Sequence, residues 1–294
     1  MSKFTINEEL LSEIESLQSI LKNNVAGMFG GNRQSKSFGS SCEFADYRDY
    51  LPGDDINRID WNAYARFDKL YEKLYYDERQ MHTRIYIDAS RSMCHGNEEK
   101  ANQALRLAAC LAYLSVCEME KVSIYAIHGT ELEEVIGGMV GKESYLGCIS
   151  KLNEIEFVGD SHISEAIIPS SVGRGDGFSI IISDFLTDDN YEGAIDHLAS
   201  KKKDVICIQV LASDEINPQI RGKMHLFDSE DATKAYRKKI DNDIIKAYKS
   251  ALKFVIERIK DYCEARGAYY LLAPGNATIG DILFGKMVDM GVLK

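Results

Sequence analysis

Apolar residues recur along the chain with two periods, and their alternation sketches the fold. Leu10, Ile14, Leu17 and Leu21 share one helical stripe over residues 7–22, flanked by Leu11 and Ile20. A Gly-, Ser- and Asn-rich stretch over 27–41 reads as a loop. Residues 43–66 interleave aromatics with charges around Pro52-Gly53, and the tyrosine-rich run 70–78 reads as a strand. From Arg84 the pattern is regular. Ile85-Tyr86-Ile87 forms a short strand, a helix covers about 98–118, and strands over 122–127 and 132–136 lie close enough to make a hairpin. Helical stretches follow around 142–153 and from 161, then a strongly apolar strand over 178–183 and a helix over 191–202. The remainder reads as a buried strand over 205–211, a short edge strand over 224–227, a long amphipathic helix over about 234–264, a strand over 269–272 and a last helix over 278–290. Strands alternating with helices predict an α/β fold: a doubly wound, mainly parallel sheet covered on both faces. Residues 81–294 are expected to carry it, with residues 1–80 as an accessory segment of helix and strand.

Charge and cysteine content narrow the function classes. With 46 acidic against 35 basic residues the formal net charge is -11, which repels nucleic acid and anionic membranes. The basic runs Lys201-Lys202-Lys203 and Arg237-Lys238-Lys239 adjoin helical patterns and read as solvated faces or helix ends. The seven cysteines include no CxxC pair and no zinc-type spacing, so a reducing compartment suits them better than a disulfide framework. No apolar leader opens the chain, and the longest apolar run, 107–116, is too short to span a bilayer. A cytoplasmic protein with no membrane span is expected. The chain has no GxxxxGK[ST] loop for nucleotide phosphates, and Gly173-x-Gly175-x-Gly177 precedes a strand, where a dinucleotide fingerprint would follow one.

In a parallel sheet, ligands bind beyond the carboxyl ends of the strands. Three oxygen-rich stretches fall there: Asp88-Ala89-Ser90-Arg91-Ser92, Gly159-Asp160-Ser161, and Ser183-Asp184. Carboxylates and hydroxyls on tight loops are hard ligands, suited to Mg²⁺ or Mn²⁺. Two carboxylates alone leave such an ion partly uncompensated and able to attract an acid from outside. Taken singly, Asp88, Ser90 and Ser161 read better as helix caps; taken together, the three loops favour the metal. A Mg²⁺-dependent phosphohydrolase is the alternative from another class. Such an enzyme often needs a second acid two residues after its nucleophilic Asp and a Lys near the phosphate. Ser90 stands at the first position, and the strand ends offer no evident Lys.

Asp88, Ser90, Ser92, Ser161 and Asp184 together resemble the metal-ion-dependent adhesion site of von Willebrand factor A domains. That family has Thr where Ser161 stands and Gly-Gly where this chain has Gly159-Asp160. Upstream, Glu43-Phe44-Ala45-Asp46-Tyr47-Arg48-Asp49-Tyr50-Leu51-Pro52-Gly53-Asp54-Asp55, continuing into Arg58-Ile59-Asp60-Trp61 and Ala65-Arg66, is similar to the signature of domain-of-unknown-function family number 58. Genes of that family commonly neighbour those of MoxR-type AAA+ ATPases. The resemblance implies a Rossmann-like, von Willebrand factor A-like sheet, a bound Mg²⁺ or Mn²⁺, a MoxR-type AAA+ ATPase as partner, and a client protein offering an Asp or Glu to the metal. It implies protein binding in assembly or maturation, without catalysis. Physically, Pro52-Gly53 suits the centre of a type II turn. Asp54, Asp55 and Asp60 beside Arg48, Arg58 and Arg66 are expected to form an ion-pair network with Trp61 packed beneath. That clamp is the preferred reading of the segment, and a partner-recognition surface is the alternative.

Overall fold

β-Branched and aliphatic runs in the larger part of the chain pair into one six-stranded sheet. The structure, a computed structural model, describes residues 12, 14–16, 44–75, 81–94, 98–174, 176–186, 190–227 and 235–286. The sheet strands are β3 (His82–Asp88), β4 (Lys121–His128), β5 (Glu131–Met139), β6 (Phe178–Ser183), β7 (Asp204–Leu211) and β10 (Tyr269–Pro274), in the spatial order β10-β7-β6-β3-β4-β5. All neighbours run parallel except β5, which folds back on β4 as the expected hairpin. Two strands, β3 and β6, are neighbours in space although β4 and β5 lie between them in the chain. At that point the strand order reverses, the place where doubly wound sheets open a crevice.

Alternate residues of each strand point to opposite faces. Ile85, Ile87, Ile180, Ile182, Ile206 and Ile208 enter one core layer with helix α2 (Glu99–Cys117). Tyr86, Ile181, Val205 and Cys207 enter the other, with residues of α4 (Ile163–Ile167), α5 (Glu192–Ser200) and α7 (Asn242–Ala265). Both faces are therefore covered, and the expected doubly wound α/β architecture is the one observed. Small residues, Ala104, Ala108, Ala109 and Ala112, are buried along α2 and keep its packing surface low. Between β5 and the sheet's return lie α3 (Gly141–Cys148) and a 3-10 turn over Ile149–Glu154, so the helix expected over 142–153 changes winding halfway.

Two expectations need correction. The long helix does not begin near residue 234: Ala235–Ile240 is strand β9, paired antiparallel with β8 (Gly222–Phe227) in a separate two-stranded ribbon. Asp241 marks the helix start, its carboxylate accepting from the backbone N–H groups of Asp243 (3.1 Å) and Ile244 (3.0 Å). The run over 224–227 is thus no edge of the main sheet. The N-terminal helix of 7–22 lies largely outside the described residues, as does the loop of 27–41. Ile14, expected in the accessory segment, is fully buried in the core layer of α2. The final helix is described only as a π-helical turn over Asp281–Lys286.

By its contacts the chain divides into two units. One covers 31–80, and its described part holds β1 (Phe44–Asp49) antiparallel to β2 (Tyr71–Tyr75), with α1 (Trp61–Phe67) between them in the chain. The other holds the six-stranded sheet.

The start of β6 tolerates only glycine. Gly177 has φ +137°, and a Cβ there would stand 2.6 Å from the carbonyl oxygen of His82 in the neighbouring strand. Gly177→Ala is expected to cost about 1–3 kcal/mol in urea unfolding. Gly147→Ala, where a Cβ meets open space on α3, should be neutral or stabilising by up to about 1 kcal/mol.

Candidate metal centre

Because β3 and β6 run parallel in register, with Ile87 opposite Ile182, their ends bring Asp88 and Ser183 face to face. The Ser183 hydroxyl donates to Asp88 Oδ2 at 2.5 Å, and the Ser90 backbone N–H donates to Asp88 Oδ1 at 2.9 Å. A 3-10 turn over Arg91–Met93 then carries Ser92 back over the strand ends. Its hydroxyl lies 3.0 Å from that of Ser90 and donates to Asp184 Oδ2 at 3.0 Å. Asp88, Ser90, Ser92 and Asp184 thus form one connected group of oxygens, and only Ser92 is more than marginally exposed.

Ser161 arrives on a loop stitched to the first by its backbone. Val158 N–H donates to Ala89 O and Arg91 N–H to Gly159 O, both at 2.9 Å. Gly129, at the end of β4, holds the same loop through Asp160 and His162. Ser161 is buried there. Among the described residues no hydrogen bond joins its hydroxyl to the other four.

Two residues of the crevice carry no signal at the strand ends and were not foreseen. Lys100, in the first turn of α2, is buried, and its Nζ donates to Asp184 Oδ2 (2.8 Å) and to Glu215 Oε1 (2.7 Å). Glu215 belongs to α6 (Ser213–Ile216) just beyond β7, and its second oxygen accepts from Ala212 N–H at 2.8 Å. The lysine of the crevice comes from a helix start, a source that the reading of the strand ends did not cover. Asp184 is further fixed by Leu186 N–H on Oδ1 (3.1 Å) and by Gln209 Nε2 on its carbonyl (2.7 Å), with Tyr270 holding Gln209 (2.6 Å). The next residue, Phe185, is buried with φ +51°, a left-handed conformation that bulky residues adopt only where their surroundings enforce it.

Burial, and after it the neighbouring charge of Asp184, pushes the Asp88 carboxyl above its ordinary range. For Lys100, burial pulls down, but Asp184 and Glu215 outweigh it and the ammonium is held above its usual value. Lys100 thus meets two acids, Asp184 and Glu215, and among the described residues no cation stands within ion-pair distance of Asp88. The acid left unbalanced and the oxygen donors of Asp88, Ser90, Ser92 and Asp184 suit a small, oxygen-preferring divalent cation.

The ion-pair network expected of segment 44–75 forms in part: Arg48 pairs with Asp54 and Arg58 with Asp55, while Asp60 turns to other partners. Asp60 is its best-anchored acid: Oδ1 caps α1 through the N–H groups of Asn62 (2.9 Å) and Ala63 (3.1 Å), and Oδ2 accepts from Tyr47 OH at 2.8 Å with Lys73 Nζ at 3.4 Å. The Tyr47 hydrogen bond, then those backbone donors, draws the Asp60 carboxyl down to about 2. Arg48 pairs with Asp54 (2.9 Å) and with Glu72 (2.5 Å), a partner absent from the expected network. Asp55 and Arg58 stand 4.0 Å apart at the surface, where Asp55 caps Asn57. Trp61 is 58% exposed, so it is not packed beneath the charges. As first residue of a helix capped by Asp60, it is turned outward.

A family model described as Protein of unknown function DUF58 matches residues 46–254. An uncharacterized protein of Mycobacterium tuberculosis (strain ATCC 25618 / H37Rv) is 24% identical over 227 residues, covering 76% of this chain and 71% of that protein, and one of Mycobacterium bovis (strain ATCC BAA-935 / AF2122/97) matches to the same extent. Among solved structures, the SpRpn10 VWA domain aligns with 71% of this chain and 96% of its own, at 8% identity and a TM-score of 0.38, a likeness too distant to carry an argument.

Two measurements probe these placements. Lys100→Met leaves Asp184 buried without its cation and is expected to cost about 3–5 kcal/mol in chemical denaturation. An unchanged midpoint would mean that the pair contributes nothing to the fold. Tyr47→Phe should move the Asp60 titration midpoint upward from about 2, read by carboxyl NMR. Because the folded-state value lies below the unfolded one, this contribution is present above the ordinary carboxylate range and is lost as pH falls toward about 2. In Tyr47→Phe the loss should be smaller and complete at a higher pH.

Proposed function

The chain belongs to the family described as Protein of unknown function DUF58, and on that premise we propose that it is a protein-interaction module whose grip depends on a divalent cation. The carrying observation is the meeting of Asp88, Ser90, Ser92 and Asp184 at the one place where the strand order reverses. In this reading Ser90 and Ser92 present their hydroxyls to Mg²⁺ or Mn²⁺, Asp88 and Asp184 supply the negative charge directly or through water, and Ser161 adds a hydroxyl from the adjoining loop. The ion, when bound, supplies positive charge that a carboxylate of a client protein can complete. Leu186 N–H, Gln209 and Ser183 keep the two acids oriented. Lys100 offsets part of the charge of Asp184 and Glu215 on the helix side of the crevice. We further propose that a MoxR-type AAA+ ATPase works with the module in assembly or maturation of the client, in the cytoplasm.

The phosphohydrolase alternative gains Lys100 as a cation at the strand ends. It still has Ser90 where a second acid is needed, and Lys100 is engaged by two carboxylates rather than directed at open space.

Asp88→Asn removes one charge and keeps one acceptor oxygen for Ser90 N–H, its amide N–H group then facing the Ser183 hydroxyl, which can accept. It is expected to abolish Mg²⁺ binding in titration calorimetry with the circular dichroism of the folded chain retained. An unchanged isotherm would remove this site from consideration. Turnover of a phosphate ester by the wild-type chain with Mg²⁺, lost in Asp88→Asn, would replace the binding reading by the enzymatic one.

A further inference from the structure

The segment 44–75 presents more apolar surface than its own structure uses. Helix α1 contains Trp61, Tyr64 and Phe67, yet none of its residues is buried. Leu51 and Ile56 nearby are 58% and 63% exposed, and Phe67 reaches 69%. A helix that buries no face draws little stability from packing, and concentrated exposed aromatics mark interaction sites. On α1, Ala63, Arg66 and Phe67 follow the i, i+3, i+4 spacing of one helix face. With Tyr47 of β1 and Tyr71 of β2 they line a cavity of about 500 Å³.

Charge decides what this cavity accepts. Five basic residues occur in 44–75, and four of them, Arg48, Arg58, Lys69 and Lys73, stand within ion-pair distance of a carboxylate. Arg66 has no carboxylate partner among the described residues. The one acid in the cavity lining, Asp60, is satisfied by Tyr47 OH, two backbone N–H groups and Lys73, so it leaves nothing to attract a cation. The unmet charge is therefore positive, on a guanidinium whose planar fork suits a carboxylate, beside aromatics that suit an apolar side chain. Seven acids against five bases over 44–75 oppose a polyphosphate backbone.

We propose that this cavity is a second docking site, independent of the metal centre. Its occupant is a partner-protein segment that carries a large apolar side chain next to an Asp or Glu. The apolar group fills the space among Tyr47, Phe67 and Tyr71, and the carboxylate pairs with Arg66. Because no group of the strand-end crevice takes part, the contact is indifferent to divalent cations.

The test is selection of a random peptide display library on the immobilised full chain in EDTA, with counter-selection on Arg66→Glu. Synthetic versions of the enriched peptides are then measured by fluorescence polarisation. The expected peptides place Asp or Glu within two positions of a large apolar residue. They should bind Arg66→Glu and Phe67→Ser at least about tenfold more weakly than wild type, and bind equally with Mg²⁺ or EDTA. Changing the peptide acid to its amide should give the same loss from the ligand side, so the outcome does not hang on the variants folding. Enriched peptides without an acid, affinity unchanged by either variant and by the amide peptide, or no enrichment would overturn the proposal. So would dimerisation of the wild-type chain in sedimentation that Phe67→Ser abolishes, since the occupant would then be a second copy. A metal centre that fails its own calorimetric test leaves this result untouched, because the selection and the variant comparisons are read in EDTA.

Discussion

Two carboxylates on neighbouring parallel strands, both withdrawn from water, are the constraint around which this molecule is arranged. Like charges so close in a low-dielectric crevice cannot both ionise without compensation. The surroundings of Asp88 and Asp184 read as a set of answers to that problem. Hydroxyls of Ser183 and Ser92 and backbone N–H groups of Ser90 and Leu186 surround the oxygens with donors. Lys100 brings a full positive charge, and Glu215 partly cancels it. The sheet order follows the same logic, since the strand order reverses between β3 and β6, where doubly wound sheets open a crevice.

Much of this was legible from residue order because strands buried on both faces read as continuous apolar runs. Ile85-Tyr86-Ile87 and Ile180-Ile181-Ile182 announced the central pair, and the acids that follow them are the ones the fold brings together. The hairpin of β4 and β5 was legible from the short spacing alone. Lys100 was not, because a lysine near a helix start ordinarily points to solvent, and nothing local signals acids eighty-four and 115 residues away. Strand β9 was absorbed into a helix because its run of lysine and arginine joins a helical periodicity without a break. Only Asp241, a capping residue, marks the change. Trp61 was misplaced for the opposite reason: a large aromatic among charges defaults to the interior, whereas position one of a capped helix turns it outward.

The two units handle charge in contrasting ways. Around the strand ends, charges are buried and few, so each carries a large electrostatic consequence. In 44–75 most ion pairs lie at the surface, where pairing is worth little to stability. There the charges serve to hold a turn and cap a helix, and the aromatic side chains between them are left facing outward.

The hydrogen bonds that build the strand-end crevice also set a timetable. They link residues ninety-two, ninety-five and 115 positions apart, the farthest reaching Glu215. A chain leaving the ribosome exposes Asp88 and Lys100 long before Asp184, and Asp184 before Glu215. Local pairs such as the β4–β5 hairpin can close early, while closure of these long loops must wait. Any nascent chain that ends before Glu215 therefore holds an incomplete charge set. The crevice is in this sense a late product of synthesis, completed only after that residue has followed Asp88, Lys100 and Asp184 out of the ribosome.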